Sequence, residues 1–327
     1  MEQKEQEYKY MVATCCFTFN HAPYIVDAMN GFTMQETTFP VVTLIVDDAS
    51  TDAEPEVIRQ YITDYFQEPY HLEETEDYHL ICAKHKQNPN CEFVVFLLKY
   101  NHWGKKDKTP YYLGWMNSAK YHALCEGDDY WIYPGKLQSQ VDYLENHPNI
   151  VLTCHRFNEF DQDTLIFSGD GHDDKFKKED EGFVFSQEQN VGWLTKTLTV
   201  VYRSCYYAEF RKIGNGLDSV LIYSLMKHGD AYIHNNVWGV YRKHIGGIFS
   251  KNTFENNVKR AYNAFKILYS YDPNDITRRM YYNSYATMFY VTGGRILFEE
   301  KFELEKFLSL GYYYILKIYR FLFNKRS

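Results

Sequence analysis

The stretch Val41-Val42-Thr43-Leu44-Ile45-Val46-Asp47-Asp48-Ala49-Ser50-Thr51-Asp52 decides how the rest of the chain is read. A short continuous apolar run, without polar alternation, fits a strand buried on both faces, as in a parallel sheet covered by helices. It stops abruptly at acidic and small residues. Upstream, Tyr10 to Phe19 is rich in β-branched and aromatic residues and ends at Asn20-His21-Ala22-Pro23, which reads as another strand. Tyr24, Ile25, Ala28 and Met29 then recur at helical spacing. Downstream, Val57, Ile58, Tyr61, Ile62, Tyr65 and Phe66 form an amphipathic stripe. Strand, helix, strand, helix at this spacing predicts βαβ units and an α/β fold.

The same reading extends along the chain. Phe93–Leu98, Tyr121–Cys125, Ile150–Cys154 and Thr197–Tyr202 read as strands. Leu137, Val141 and Leu144 mark one helix, and Val220, Leu221, Leu225 and Met226 another that ends at Gly229. Asn101–Pro110 reads as a polar loop, and 158–192 as acidic and loop-rich. After Gly246-Gly247 the strand signal ends, and 254–323 reads as helical throughout. The expected organisation is an α/β domain over 1–250 followed by a helical region over 251–327.

Composition excludes several classes. The 327 residues are 45% hydrophobic and 24% charged, which rules out wholesale disorder. The net charge of −8 provides no basic field for nucleic acid, so no nucleic-acid partner is expected. Seven cysteines without a CxxC pair argue against zinc ligation and against a disulfide scaffold. The charged start Met1-Glu2-Gln3-Lys4-Glu5 lacks the apolar core of a signal peptide, and no apolar run is long enough to span a bilayer. A reduced, cytoplasmic setting is therefore expected.

Two acidic clusters sit just past short buried strands: Asp47-Asp48 and Glu126-Gly127-Asp128-Asp129. Ligands of open α/β sheets bind outside the carboxyl ends of the strands. Carboxylates there must be solvated, paired or bound to a cation, because unpaired buried charge is too costly. Three acids in four residues repel one another unless a cation compensates, and grouped oxygen ligands suit Mg²⁺ or Mn²⁺. For Asp52 the plainer role, capping the next helix, is favoured.

Taken together, five segments resemble the inverting family-2 glycosyltransferases of the GT-A fold. They are Thr18-Phe19-Asn20-His21 with Tyr24-Ile25; Ile45 to Asp52; Lys120-Tyr121 leading into Glu126-Gly127-Asp128-Asp129-Tyr130-Trp131; Pro134 with Lys136 to Val141; and Val240-Tyr241-Arg242-Lys243-His244 with Gly246-Gly247. They run in family order from about residue 10 to residue 250, and the order is more specific than any one piece. The resemblance implies a Rossmann-related mixed sheet flanked by helices, with the part after residue 250 outside it. It implies transfer of a sugar from a nucleotide-diphosphate donor to a glycan or lipid-linked acceptor hydroxyl with inversion, in surface polysaccharide synthesis, using Mn²⁺ or Mg²⁺.

The resemblance also implies roles. Thr18, Phe19, Asn20, Asp47 and Asp48 fall where relatives hold the nucleoside, with Phe19 stacking on the base and Asp48 accepting from it. Glu126 stands where the family's metal motif usually has Asp and is assigned to the ribose or a metal water. Asp128 is assigned to the metal, with Asp129 supporting it. Arg242 and His244 match a segment that closes over the diphosphate; Arg suits bidentate phosphate contact and neutral His can ligate a metal. Asp218, in Gly216-Leu217-Asp218-Ser219, matches the Asp that opens the helix facing the acceptor and is the candidate base, with a helix N-cap as the alternative.

Two rivals are weighed against this reading. A nucleotidyltransferase should carry a glycine-rich loop with Arg or Lys after the first strand, and Phe17–Pro23 has neither. A silent sugar-binding or scaffold protein would show no donor hydrolysis with Mn²⁺. Finally, 307–327 carries Lys317, Arg320, Lys325 and Arg326 and no acid, with Leu308, Tyr312, Ile315, Tyr319 and Leu322 along one face. That pattern fits an interfacial helix at the inner face of the cytoplasmic membrane, and equally a terminal helix packed on the protein.

Overall fold

The computed structural model describes residues 7–170, 181–189, 195–214, 217–247 and 252–293. These form two compact units. The first comprises the described residues of 1–187, 195–207 and 225–244; the second those of 188–194, 208–224 and 245–327. The second thus takes 208–224 from before the expected boundary at residue 250.

The first unit is built on one mixed sheet of twelve strands. Its centre is parallel: β6 (Ala119–Leu124), β1 (Tyr10–Thr18), β2 (Val41–Asp47) and β5 (Cys91–Leu98) lie side by side in that order. Every residue of β2 and β5 is buried, as the uninterrupted apolar runs require. Beyond β5 the sheet continues antiparallel into β4 (Tyr78–Lys84) and β3 (His71–Glu74). Beyond β6 lie β11 (Val201–Arg203), β8 (Ile150–Asp161), β12 (Asp230–Lys243) and β10 (Gly182–Phe185), with β7 (Tyr130–Trp131) on β12 and β9 (Ile166–Gly169) on β8. β11 is antiparallel to both β6 and β8, and β12 is parallel to β8. The carboxyl ends of β1, β2, β6, β8 and β12 therefore share one edge.

Alternation along the strands feeds two cores. Val12, Cys16, Val41 and Ile45 face α1 (Ile25–Thr33), α2 (Glu54–Tyr65) and α4 (Lys136–Asn146), through Met29, Phe32, Ile58, Ile62, Leu137 and Leu144. Ala13, Cys15, Val42 and Leu44 face α3 (Thr109–Asn117), through Tyr112 and Met116. The α/β class with a mixed sheet flanked by helices is what the sequence predicts.

Several local readings are corrected. Thr197–Thr199 is a single 3₁₀ turn, and only Val201–Arg203 is strand. The carbonyls of Leu198 and Thr199 are taken by the Trp131 indole N–H (2.7 Å) and the Gln140 amide (3.0 Å), so they cannot serve a ladder. The described part of 158–192 holds the end of β8 with β9 and β10, and Arg242 lies on the 14-residue strand β12.

The chain then forms α5 (Tyr207–Ile213) and α6 (Asp218–Met226), and in the second unit α7 (Phe254–Tyr271) and α8 (Asp275–Val291) form a helical pair. Tyrosines fill it: Tyr262, Tyr281 and Tyr285 are buried together with Met288. Asn274 caps α8 in a reciprocal box with Thr277, which fixes the turn between the helices. Among the described residues no helix is long and apolar enough to cross a membrane. The basic amphipathic segment 307–327 lies outside the described residues.

Candidate active site

The acidic loop leaves β6 and stays paired to β1: Cys125 N donates to Cys15 O (3.2 Å), and Gly127 N to Phe17 O (3.1 Å). Gly127 is needed because the loop presses on the end of β1; a Cβ at 127 would lie 2.1 Å from Thr18 Oγ1. This contact places Asp128 over the turn that follows β1, and that turn carries His21. His244, one residue past β12, completes the group. His244 Nε2 lies 3.1 Å from Asp128 Oδ2, and His21 Nε2 lies 3.8 Å from the same oxygen. One ligand atom from each of the three falls within 4.8 Å of the others. Burial pushes the Asp128 carboxyl up, but the His244 hydrogen bond and the electrostatic attraction of the two imidazoles outweigh it and hold the group below the usual carboxylate range.

A carboxylate and two imidazoles converging on one volume fit a divalent transition ion, since imidazole suits such metals and carboxylate oxygen suits Mn²⁺. His21 is the member of this cluster that the sequence reading missed. A lone histidine after a strand carries no spacing signal, and only the crossing of three chain segments reveals it.

Arg242 and Asp129 hold this loop in place. Arg242 is buried, and its own N–H donates to Asp129 Oδ1 (2.8 Å). Its guanidinium donates to the Asp128 carbonyl (2.9 Å), to Gln162 Oε1 (2.5 Å) and to Asp27 Oδ2 (2.6 Å). Asp129 is buried too; burial, with Asp128 and Glu126 beside it, pushes its carboxyl well above the usual range, and the Arg242 N–H draws only part of that back. Neither Arg242 nor Asp129 belongs to the three-ligand cluster. Glu126 is half-buried and accepts from Thr197 Oγ1 (2.7 Å).

The residues predicted to hold the nucleoside gather along the same sheet edge. Phe19 is 41% exposed at the end of β1, available for stacking. Asn20 has a left-handed φ of 57°, and its side chain accepts from Thr51 N (2.7 Å), which ties β1 to the loop after β2. Asp48 is buried, and both its carboxylate oxygens have protein partners: His102 N (2.8 Å) and Lys108 Nζ (3.0 Å). Asp47 is buried and accepts from Ser50 N (3.1 Å) and the Ser50 hydroxyl, while its Oδ2 finds no partner among the described residues. Burial pushes its carboxyl up to about 7 against those bonds. Asp52 does accept the first helical amide, that of Glu54 (3.0 Å). Asp218, half-buried, opens α6 (Asp218–Met226) in the second unit.

Among solved structures, residues 1–349 of TarS from S. aureus with UDP-GlcNAc superpose with a TM-score of 0.55 over 91% of this chain and 78% of theirs, at 13% identity. This chain has a GT-A-like glycosyltransferase fold. A second GT-A-like match is the mannosyltransferase of Pyrobaculum calidifontis in complex with GDP-Man and Mn²⁺, with a TM-score of 0.50 over 96% of this chain and 82% of that one, at 12% identity. No family model matches the sequence. By sequence, uncharacterised proteins of Mycobacterium tuberculosis and Mycobacterium bovis are 29% identical over 243 residues. That stretch is 71% of this chain and spans 58% of the relatives' length.

Proposed function

We propose that this chain is a metal-dependent glycosyltransferase that moves a sugar from a nucleoside-diphosphate donor to an acceptor hydroxyl with inversion. The observation that carries it is the His21–Asp128–His244 cluster at the carboxyl edge of the parallel strands, on a GT-A-like sheet. The TarS and mannosyltransferase structures, with UDP-GlcNAc and with GDP-Man and Mn²⁺, support a nucleotide-sugar donor and a divalent ion. A divalent ion held by the three side chains would supply positive charge to the departing diphosphate. The protein's part is to hold the Asp128 loop beside the two imidazoles, through the Arg242 and Asp129 clamp. Phe19 offers an open aromatic face to the donor base. The proposed acceptor is a glycan or lipid-linked hydroxyl, as in surface polysaccharide synthesis, and 1–250 is proposed as the catalytic part.

A thermal-shift series with nucleoside diphosphates tests the reading, because a ligand that binds only the folded chain raises its melting temperature. UDP or GDP should raise it in Mn²⁺ and much less in EDTA; equal shifts in both would sink the metal-dependent reading. Asp218 is proposed as the base that takes the acceptor proton. Asp218→Ala should keep the donor shift and lower transfer by about 10²-fold. Undiminished turnover would place the base elsewhere.

A further inference from the structure

Thr18 sits between the His21 imidazole and a carboxylate that no site prediction used. Its Oγ1 donates to Glu54 Oε1 and lies 3.1 Å from His21 Nδ1. Glu54 is the first residue of α2 and is fully buried. Its other oxygen accepts from the His21 backbone N–H (2.8 Å) and lies 2.8 Å from Ser50 Oγ. With the Thr18 hydroxyl and the His21 amide donating to it, at a helix N-terminus that favours negative charge, Glu54 acts as an acceptor; the single Ser50 proton goes to Asp47.

The direction of the chain of bonds follows from proton counting. A threonine hydroxyl has one proton. Here Glu54 takes it, so Thr18 Oγ1 can meet His21 Nδ1 only as acceptor. The His21 proton is thereby assigned to Nδ1, and its Nε2 keeps a bare lone pair. Nε2 is the atom on the Asp128 side, 3.8 Å from Oδ2. Metal-bound histidines are commonly fixed this way, by a partner on the other ring nitrogen that sets tautomer and ring orientation.

We infer that the Glu54–Thr18 pair is a positioning device that sets the His21 tautomer and makes His21 a metal ligand. The inference rests on the metal-binding reading above. It gives Thr18 a different task from nucleoside contact: Thr18 is buried, and its hydroxyl is already committed on both sides.

The test is titration of Mn²⁺ into the metal-free full chain, which needs no donor and no turnover. Thr18→Val removes the hydroxyl at constant shape and should weaken Mn²⁺ affinity about 10-fold or more, while Thr18→Ser should restore it to within roughly threefold. If the valine variant does not fold, Thr18→Ala carries the same comparison. Glu54→Gln should weaken binding similarly: one face of the amide must present N–H either to Thr18, reversing the hydroxyl, or to the His21 amide, where it clashes. Pulsed EPR of the Mn²⁺ complex should count two coordinated imidazole nitrogens in the native chain and one in His21→Ala. Native affinity in Thr18→Val or Thr18→Ala overturns the relay while leaving the metal site standing. Equal loss in the valine and serine variants also overturns it, because the hydroxyl would then not be the determinant. A native chain that takes up no Mn²⁺ overturns the relay and the metal-binding reading together.

Discussion

Asp128→Ala should abolish the Mn²⁺-dependent part of any nucleotide-induced thermal shift and reduce sugar transfer by more than about 10³-fold, the scale expected when the centre that stabilises departing charge is lost. The effect should exceed that of either histidine variant, because Asp128 is the member both imidazoles approach, at 3.1 and 3.8 Å. The metal-free variant should keep its fold. The loop it stands on is fixed through backbone atoms, by Cys125 and Gly127 on β1 and by Arg242 on the Asp128 carbonyl, none of which needs the Asp128 carboxylate. Melting curves with EDTA, Mn²⁺ and Mn²⁺ plus UDP or GDP separate the two contributions. A metal-dependent shift that survives in Asp128→Ala would move the ion, and the chemistry with it, to another part of the sheet edge.

The contrast between Asp128 and its neighbour shows what a motif can and cannot convey. Sequence marks Glu126-Gly127-Asp128-Asp129 as an acidic cluster past a buried strand, and the cluster does lie at the carboxyl edge. Which acid faces the two histidines depends on chain direction through a tight loop. Asp128 turns toward His21 and His244, while Asp129 turns inward onto the Arg242 amide. Arg242 is similar. Its residue type suits a diphosphate, yet three guanidinium bonds to protein acceptors make it the clamp of the loop. Glu54 reads in sequence as an acid in a first helical turn, a common surface feature; only the approach of β1 buries it.

The fold was legible where one physical preference dominates. Val41–Val46 and Phe93–Leu98 are apolar on both faces because both faces are covered, and the amphipathic helices show their single buried stripe. Strand β12 was not legible. Its ladder to β8 slips near His234, Val237 and Gly239, so the alternation is broken along its length. Gly239 reads as a breaker but sits mid-strand because a Cβ there would lie 2.5 Å from Leu198 Cδ1. The β3–β4 hairpin was missed for a different reason: β3 is exposed throughout, and an edge strand with polar side chains looks like a loop.

Lys136→Met should stabilise the chain by about 3 kcal/mol at pH 6, with the gain shrinking as pH rises toward 10. Lys136 opens α4 yet is fully buried, with its Nζ 4.0 Å from the Trp131 ring and without a hydrogen-bond partner among the described residues. His155 Nε2, His234 Nε2 and Gln140 Oε1 share that condition. Burial pulls the amine from its ordinary 10.5 down to about 7, and the Cys125 and Cys154 thiols only partly oppose it. Below pH 7 both folded and unfolded chains carry the charge, and the folded chain bears the whole desolvation cost. Between pH 7 and 10.5 the folded chain is neutral while the unfolded chain still binds a proton, so stability rises with pH by up to about 1.4 kcal/mol per unit. Above 10.5 the cost is gone. Methionine fills similar volume, brings no charge and makes favourable sulfur–aromatic contact with Trp131. Denaturant unfolding of native and variant chains at pH 6, 8 and 10 reads the difference directly. A variant less stable than native at every pH would mean that the amine is satisfied after all, by internal water joining it to Gln140 and the two imidazoles, and that Lys136 helps hold β8 and β12 together.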